Sequence, residues 1–328
     1  MTALSCAVFA PTRLHLGLID CSDVTQRRFG GVGISLAEPD VRLRVSIGAT
    51  ARSEVVGLDG DGGLPQAVLE AVNALTQDHP PVFVEFERMP PRHVGLGTGT
   101  AARLAATAGA AHLTGLDMPV RELALLCGRG GTSGVGVNAF DVGGVIFDAG
   151  RPVEREEPFS PSRYQTPNSF PPIITRLALP PQWVISLLCP QGVATAGKDE
   201  LTFFHRELPV PAQESLETLG FVYHGVAPAI LEADLPALSY ALRQIHSVGF
   251  KRRELARQSE EVRALVSQLQ ASETVAAGMS SLGPLVFAIS HRHDEATTKH
   301  ITAIARSVGI DVLPARPAHR GHRIESSA

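Results

Sequence analysis

The chain is poor in charge, in cysteine and in long apolar runs. Of its 328 residues, 19% are charged, against the roughly 25% usual in soluble domains. It has no basic excess: 29 Lys and Arg stand against 33 Asp and Glu, for a formal net charge of −4. A polyanion binder normally carries a clear basic surplus, which argues against nucleic acid as the main partner. The four cysteines, Cys6, Cys21, Cys127 and Cys189, lie far apart and form no C-x-x-C pair. That spacing excludes the usual zinc motifs and speaks against a disulfide framework, so they read as small buried hydrophobes. No apolar stretch approaches the ~18–20 residues that cross a bilayer. The first eleven residues lack the basic and long apolar segments of a signal peptide. With 44% hydrophobic residues the chain is not disordered. The expected class is a soluble, cytoplasmic globular protein with neither membrane nor nucleic acid as partner.

Glycine and proline are plentiful, at 31 and 24 residues. A strand pattern over Ser5–Ile19 is interrupted at Gly30-Gly31-Val32-Gly33, and a second strand is expected over Val41–Ile47. Asp59–Gly63 is a turn cluster. Leu64–Leu75 has helical spacing and Val82–Phe86 alternates like a strand. The segment from Gly95 to Thr100 opens an alanine-rich helix reaching about Leu113, and Pro119–Cys127 is another short helix. A second glycine-rich loop, Gly128–Gly136, precedes an expected strand over Phe140–Phe147. Residues 152–172 lack periodicity and read as a long loop or linker. Beyond them come a strand at Trp183–Cys189, helices marked by Leu231–Ile245 and Val262–Leu269, a small-residue loop at Gly278–Pro284 and a strand at Leu285–Ile289. A helix at Ala296–Val308, a strand at Ile310–Leu313 and a mobile tail after Pro314 complete the reading. The alternation predicts an α+β protein whose two domains meet near residues 150–185.

The loop Gly95-Leu96-Gly97-Thr98-Gly99-Thr100 carries the strongest chemical signal. Glycine lets backbone N–H groups turn toward a ligand, and a helix start adds partial positive charge. It lacks the Gly-Lys-Ser/Thr ending of a Walker loop, and a tight turn before a well-capped helix is an equally simple reading. Two polar runs are expected to be inert: His291-Arg292-His293-Asp294 as a solvated turn, and Lys251-Arg252-Arg253-Glu254 as a solvated helix start.

Three segments together resemble the motifs of the GHMP kinase superfamily. Ala10-Pro11-Thr12-Arg13-Leu14-His15-Leu16-Gly17 is similar to its first motif, Pro91–Thr98 to its phosphate-binding second motif, and Ser280-Ser281-Leu282-Gly283-Pro284 to its third. The resemblance implies an N-terminal domain with a left-handed βαβ unit (residues 1–155), a linker (156–182), a ferredoxin-like C-terminal domain (183–313) and a flexible tail (314–328). One departure stands out. The position that helps hold magnesium in the kinases is Gly99 here, which speaks against ATP-dependent phosphoryl transfer. A small-molecule kinase of the homoserine or mevalonate type is therefore the alternative reading.

A narrower resemblance, to the β-ribofuranosylaminobenzene 5′-phosphate synthase family, rests on Leu14–Asp20, Arg28–Gly33, His93–Thr100 and the Gly128–Gly136 loop with Asn138-Ala139-Phe140. It also includes Gly197-Lys198-Asp199-Glu200 and Phe203-Phe204. It implies condensation of 4-aminobenzoate with phosphoribosyl pyrophosphate, release of CO2 and diphosphate, and a place in tetrahydromethanopterin biosynthesis. It implies Mg2+ as cofactor, and the superfamily suggests a homodimer. The implied anion contacts are Arg13, Arg28, the Gly95–Thr100 loop and, more weakly, Thr132 and Ser133, with Asn138, Ser280, Ser281 and Gly283 completing the substrate site. Asp20 is the candidate for holding the metal or facing the ribosyl cation, with a turn aspartate as the alternative. Arg28 or the Gly30-Gly31 turn would orient the aminobenzoate carboxylate; His15 is a candidate substrate hydrogen-bond partner, with a packed or exposed strand residue as the alternative, and Asp141 is a second carboxylate candidate, with a turn cap as the simpler reading.

Overall fold

The computed structural model of the chain describes residues 4–48, 50–58, 63–153, 158–164, 169–193 and 197–327. The expected turn at residues 59–62 lies outside them, as do parts of the expected linker. The strands are β1 (Leu4–Asp20), β2 (Arg27–Ile47), β3 (Glu54–Val56), β4 (Val82–Arg88), β5 (Val145–Asp148), β6 (Arg151–Pro152), β7 (Ile173–Leu177), β8 (Trp183–Leu188), β9 (Ala276–Met279), β10 (Val286–His291), β11 (Val312–Pro317) and β12 (Arg323–Ser327). The helices of the first half are α1 (Leu64–Leu75), α2 (Thr98–Thr114), α3 (Val120–Leu126) and α4 (Val135–Val142). Those of the second half are α5 (Lys198–Glu207), α6 (Ala212–Phe221), α7 (Ala227–Leu231), α8 (Leu235–Ser247), α9 (Gly249–Ala256), α10 (Glu260–Gln270) and α11 (Glu295–Ser307).

The strands form one mixed sheet whose main path runs β12-β1-β2-β11-β8-β10-β9. Its spine is the long antiparallel ladder of β1 and β2, which shifts register near Pro11 and again between His15 and Gly17. β3 and β4 pair in parallel across α1, a βαβ unit. The outer part of β1 alternates buried and partly buried residues, whereas Leu14–Asp20 is buried throughout. That switch marks where β1 passes from one covered face to a fully enclosed position. On one face of the sheet, Ala101, Leu104, Ala105 and Ala108 of α2 share a core with Val8, Val41, Leu43 and Val45 and with the buried side of α1. A second core cluster joins Leu14, Leu16, Trp183, Leu187, Leu242 and Phe287 across β1, β8, β10 and α8.

Several expectations change. Gly30–Gly33 does not interrupt the strand pattern but lies within β2, because there the chain passes too close to neighbouring groups for a side chain. A Cβ on Gly31 would stand 2.8 Å from Ser133 Oγ and 3.0 Å from His15 Nε2. The apolar run Phe140–Phe147 is not one strand. Its first part closes α4, Gly143-Gly144 turns with positive φ, and only Val145–Asp148 is extended. Part of the expected linker is strand β7, paired with β5. The expected mobile tail is ordered: β11 extends to Pro317 between β8 and β2, and β12 pairs with β1. The polar run at 251–254 is not solvated. Lys251 and Glu254 are buried on α9 with Nζ and Oε2 3.0 Å apart, and Arg252 and Arg253 pair with Glu214. His291–Asp294 is the turn expected, with Asp294 capping α11 through the Thr297 N–H.

Candidate active site

The fold brings the three loops together by direct bonds. Arg13 N donates to the Leu96 carbonyl at 2.9 Å, tying β1 to the glycine loop before α2. Ser280 Oγ accepts from His15 N at 2.9 Å and donates to the Gly95 carbonyl at 2.7 Å. Ser281 N donates to the His15 carbonyl at 3.0 Å. Gly283 presses directly on Val94 and Gly95. One serine thus bridges motifs that lie far apart in the chain, so the loops cannot move independently.

Around this junction lies a cleft with two lobes that share Arg13, Thr100, Arg129, Glu200, Ser281 and Leu282. The outer lobe, about 180 Å³, is walled by Gly95, Gly97, Thr98 and Gly99 together with Arg92 and Arg103. The N-terminus of α2 opens there with no side chain capping it, so its first N–H groups and the surrounding guanidinium groups favour an anion. The inner lobe, about 170 Å³, is lined by His15, Ser133, Thr132 and Glu254 and by the apolar surfaces of Leu18, Val137, Phe204 and Leu282. Phe204 packs edge-on against Phe250, which fixes that wall. The outer lobe therefore suits an anion, and the inner lobe sets four apolar side chains among polar ones.

Electrostatics separate the inner groups. Burial pulls Arg13 down to about 10, which leaves it a cation at neutral pH. His15 is held well below the usual imidazole range by burial and by the charges of Arg13 and Lys251, so its ring is neutral. Asp148 is fully buried, and burial pushes its carboxyl up to about 6 despite hydrogen bonds from Gly150, Ser133 and Gly134. Between about pH 4 and pH 6 the native state thus holds a proton that the unfolded chain has lost. Stability should therefore fall as pH rises through that window, by about 3 kcal/mol at most, and be flat above it. Asp148→Asn should remove that slope, as measured by urea unfolding on either side of the window. A slope unchanged in the variant would assign it to other groups.

The expected site residues fall into two groups. Arg13, His15, Gly95, Gly97, Thr98, Gly99, Thr100, Thr132, Ser133, Ser281 and Gly283 line the cleft. Leu96, Ser280 and Gly31 stand just behind it, as bond partners or close neighbours of the lining. The catalytic candidates do not line either lobe. Asp20 is the turn aspartate: its two carboxylate oxygens accept from Ser22, Val24 and Thr25, with backbone N–H distances of 3.0–3.3 Å. Arg28 is buried, paired with Asp23 and stacked 4.0 Å over Phe159. Gly30 packs on the Asp148–Gly150 backbone. Asp141 is exposed on α4, because the segment is helical rather than extended. Asn138 is buried and donates to the Pro171 carbonyl at 3.4 Å.

Sequence reasoning missed Arg92, Arg103, Arg129, Asp148 and Glu254. Arg103 carried a signal, as the one charged side chain in the first three turns of the alanine-rich helix α2. Arg92 and Arg129 sit within the quoted motif and loop segments themselves, whereas Asp148 and Glu254 come from elements that meet the loops only through tertiary packing.

Residues 64–147 match the family described as GHMP kinases N terminal domain. The chain is 33% identical over 307 residues to β-ribofuranosylphenol 5′-phosphate synthase from Methanothermobacter thermautotrophicus, covering 91% of this chain and 92% of that protein. It is 33% identical over 282 residues to the protein of the same name from Archaeoglobus fulgidus, covering 85% and 86%. Among solved structures, homoserine kinase from Cytophaga hutchinsonii superposes with a TM-score of 0.69 at 16% identity, covering 98% and 97%. Phosphomevalonate kinase from Streptococcus pneumoniae gives 0.67 at 14% identity, covering 96% and 100%. The two kinases share the fold, and the two synthases share the sequence across it.

Proposed function

The chain belongs to the β-ribofuranosylphenol 5′-phosphate synthase family, and from that premise we propose that it joins an electron-rich benzoate to the anomeric carbon of phosphoribosyl pyrophosphate, releasing diphosphate and CO2. The observation that carries this reading is the two-lobed cleft, with arginines and an uncapped helix start on one side and, on the other, a lobe where Leu18, Val137, Phe204 and Leu282 lie among polar groups. The outer lobe takes the diphosphate. As the C–O bond to it breaks, negative charge grows on the leaving group and faces Arg13, Arg129 and the α2 N–H groups. Positive charge on the ribose develops beside the shared wall, where Glu200 supplies a carboxylate. The ring carbon bearing the carboxylate then attacks, and loss of CO2 restores aromaticity without a further electron sink.

4-Aminobenzoate is the proposed acceptor. The relatives' name specifies a phenol product, which makes 4-hydroxybenzoate the second acceptor to be assayed. Magnesium fits as an ion brought on the substrate. Among the described residues no cluster of three His, Cys, Asp or Glu forms a metal cage, and Asp20 is committed to its turn, so Glu200 is the wall carboxylate placed to meet such an ion. Bound there, the ion would neutralise charge on the leaving diphosphate. Tetrahydromethanopterin synthesis and a cytoplasmic, homodimeric enzyme are the setting proposed for this reaction. Among the described residues no helix is long and apolar enough to cross a membrane.

Incubation of the purified protein and Mg2+ with either benzoate and phosphoribosyl pyrophosphate should yield diphosphate, and replacing the latter by ATP should yield no ADP. ADP formation with a small alcohol would instead select a kinase. Gly99 bears on the same point. A Cβ there meets nothing within 4 Å, so Gly99→Ala should raise stability by about 0.5–1 kcal/mol, seen as a higher Tm. A lower Tm would mean that the bare backbone at that helix start is structurally required.

A further inference from the structure

The inner lobe is backed by one buried carboxylate to which the proposed reaction gives no part. Asp148 is sealed from solvent at the end of β5, and its Oδ1 accepts from Gly150 N at 2.9 Å. Its Oδ2 accepts from Gly134 N and from Ser133 Oγ, each at 3.1 Å. Ser133 Oγ in turn accepts from Val135 N at 3.2 Å and lies 3.1 Å from His15 Nε2. A serine hydroxyl has one hydrogen. With that hydrogen directed to Asp148, the oxygen can only accept from His15. The neutral imidazole must then carry its proton on Nε2, which leaves Nδ1 a bare acceptor. No described residue hydrogen-bonds Nδ1, and His15 lines the inner lobe. The backbone of His15 is held at both its N–H and its carbonyl by the Ser280-Ser281 loop, so the ring starts from a fixed position. Gly31 leaves the room in which His15 and Ser133 meet.

We propose that Asp148, acting through Ser133, sets His15 as a hydrogen-bond acceptor for the para substituent of the aromatic substrate. This rests on the reading that the benzoate ring occupies the inner lobe. Drawing the amine N–H toward Nδ1 raises electron density on the nitrogen, and through the ring on the carbon para to it. That carbon bears the carboxylate and forms the new bond. With an amine no proton is transferred; with a phenol the same contact polarises the O–H. Asp148 and Ser133 are thus positioning residues, and His15 touches the substrate. The charge state suits the role: Asp148, pushed up to about 6, is ionised at neutral pH and able to accept, and burial, with the charges of Arg13 and Lys251, keeps the His15 ring from protonating. Tyr223, pushed up to about 12 by burial and then by the Asp148 charge, stays neutral.

Two measurements on the purified protein test the proposal. In long-range 1H–15N spectra of the substrate-free protein at neutral pH, assigned with His15→Asn, His15 should show a pyridine-type Nδ1 and a pyrrole-type Nε2. Ser133→Ala and Asp148→Asn should each mix the tautomers. A pyrrole-type Nδ1, or a doubly protonated ring, in the native protein overturns the proposal. The second compares turnover of 4-aminobenzoate with that of 4-(dimethylamino)benzoate, which has no N–H to donate. The native enzyme should favour the former by about tenfold, the worth of one hydrogen bond. Ser133→Ala should bring that ratio toward one. A ratio unchanged by the variant removes the relay. If neither benzoate turns over in the native protein, the reaction assignment fails, while the spectra still decide the tautomer.

Discussion

Gly283→Ala should lower stability by about 3 kcal/mol and abolish activity together. A Cβ at this position would lie 2.0 Å from the Val94 carbonyl carbon and 2.4 Å from Gly95 N. These are backbone atoms, so no rotamer change can relieve the contact, and a main-chain shift is required. The shift would fall on the junction where Leu285 N donates to Val94 O and Ser280 Oγ donates to Gly95 O. The glycine loop would move away from Arg13, and the outer lobe would lose its shape. Thermal melting and turnover of the same preparation check this. A variant with native Tm but no activity would make Gly283 a substrate contact instead of a packing position, and native values of both would mean that the two loops are not locked.

Arg13→Lys should cut kcat/KM by roughly 10²-fold, with only a small change in Tm. Arg13 is a cation common to both lobes, and its guanidinium also donates to the Gly95 carbonyl. Lysine keeps the charge and loses the planar fork, so it can hold the loop or the phosphate but not both. Charge-assisted hydrogen bonds are each worth about 1.5–3 kcal/mol, and losing one at a developing anion accounts for an effect of this size. The loss should appear mainly with phosphoribosyl pyrophosphate, because the Arg13 charge acts on the anion that leaves it. Steady-state kinetics with each substrate varied in turn separate the two. A rise confined to KM for the benzoate would reverse the assignment of the lobes.

What the sequence disclosed, and what it hid, follows from the range of the interactions. The loop Gly95–Thr100 was legible because glycine, threonine and an alanine-rich helix are local signals, and α2 starts within it. The three motifs were legible as a set, and Ser280 and Arg13 supply the bonds that join them. Asp20 and Arg28 also stood out as chemistry, yet each is spent on a local structure, a turn and a buried ion pair. Nothing in one stretch of chain distinguishes a carboxylate that caps its own turn from one that faces a substrate. The Lys251–Glu254 pair shows the converse. A run of four charged residues normally faces water, but here only Arg252 is largely exposed, while Lys251 and Glu254 turn into the core beside the cleft. Asp148 ends a four-residue buried strand, and its link to His15 runs through Ser133, far from both ends of β1 in sequence. Only the folded chain puts those three side chains in line.

The most direct measurement follows the carboxyl carbon. With carboxyl-labelled 4-aminobenzoate, phosphoribosyl pyrophosphate and Mg2+, the protein should release labelled CO2 and diphosphate in equal amounts and at the same rate, and neither should appear when one organic substrate is omitted. Diphosphate released without CO2, or no release of either from folded protein, would contradict the account.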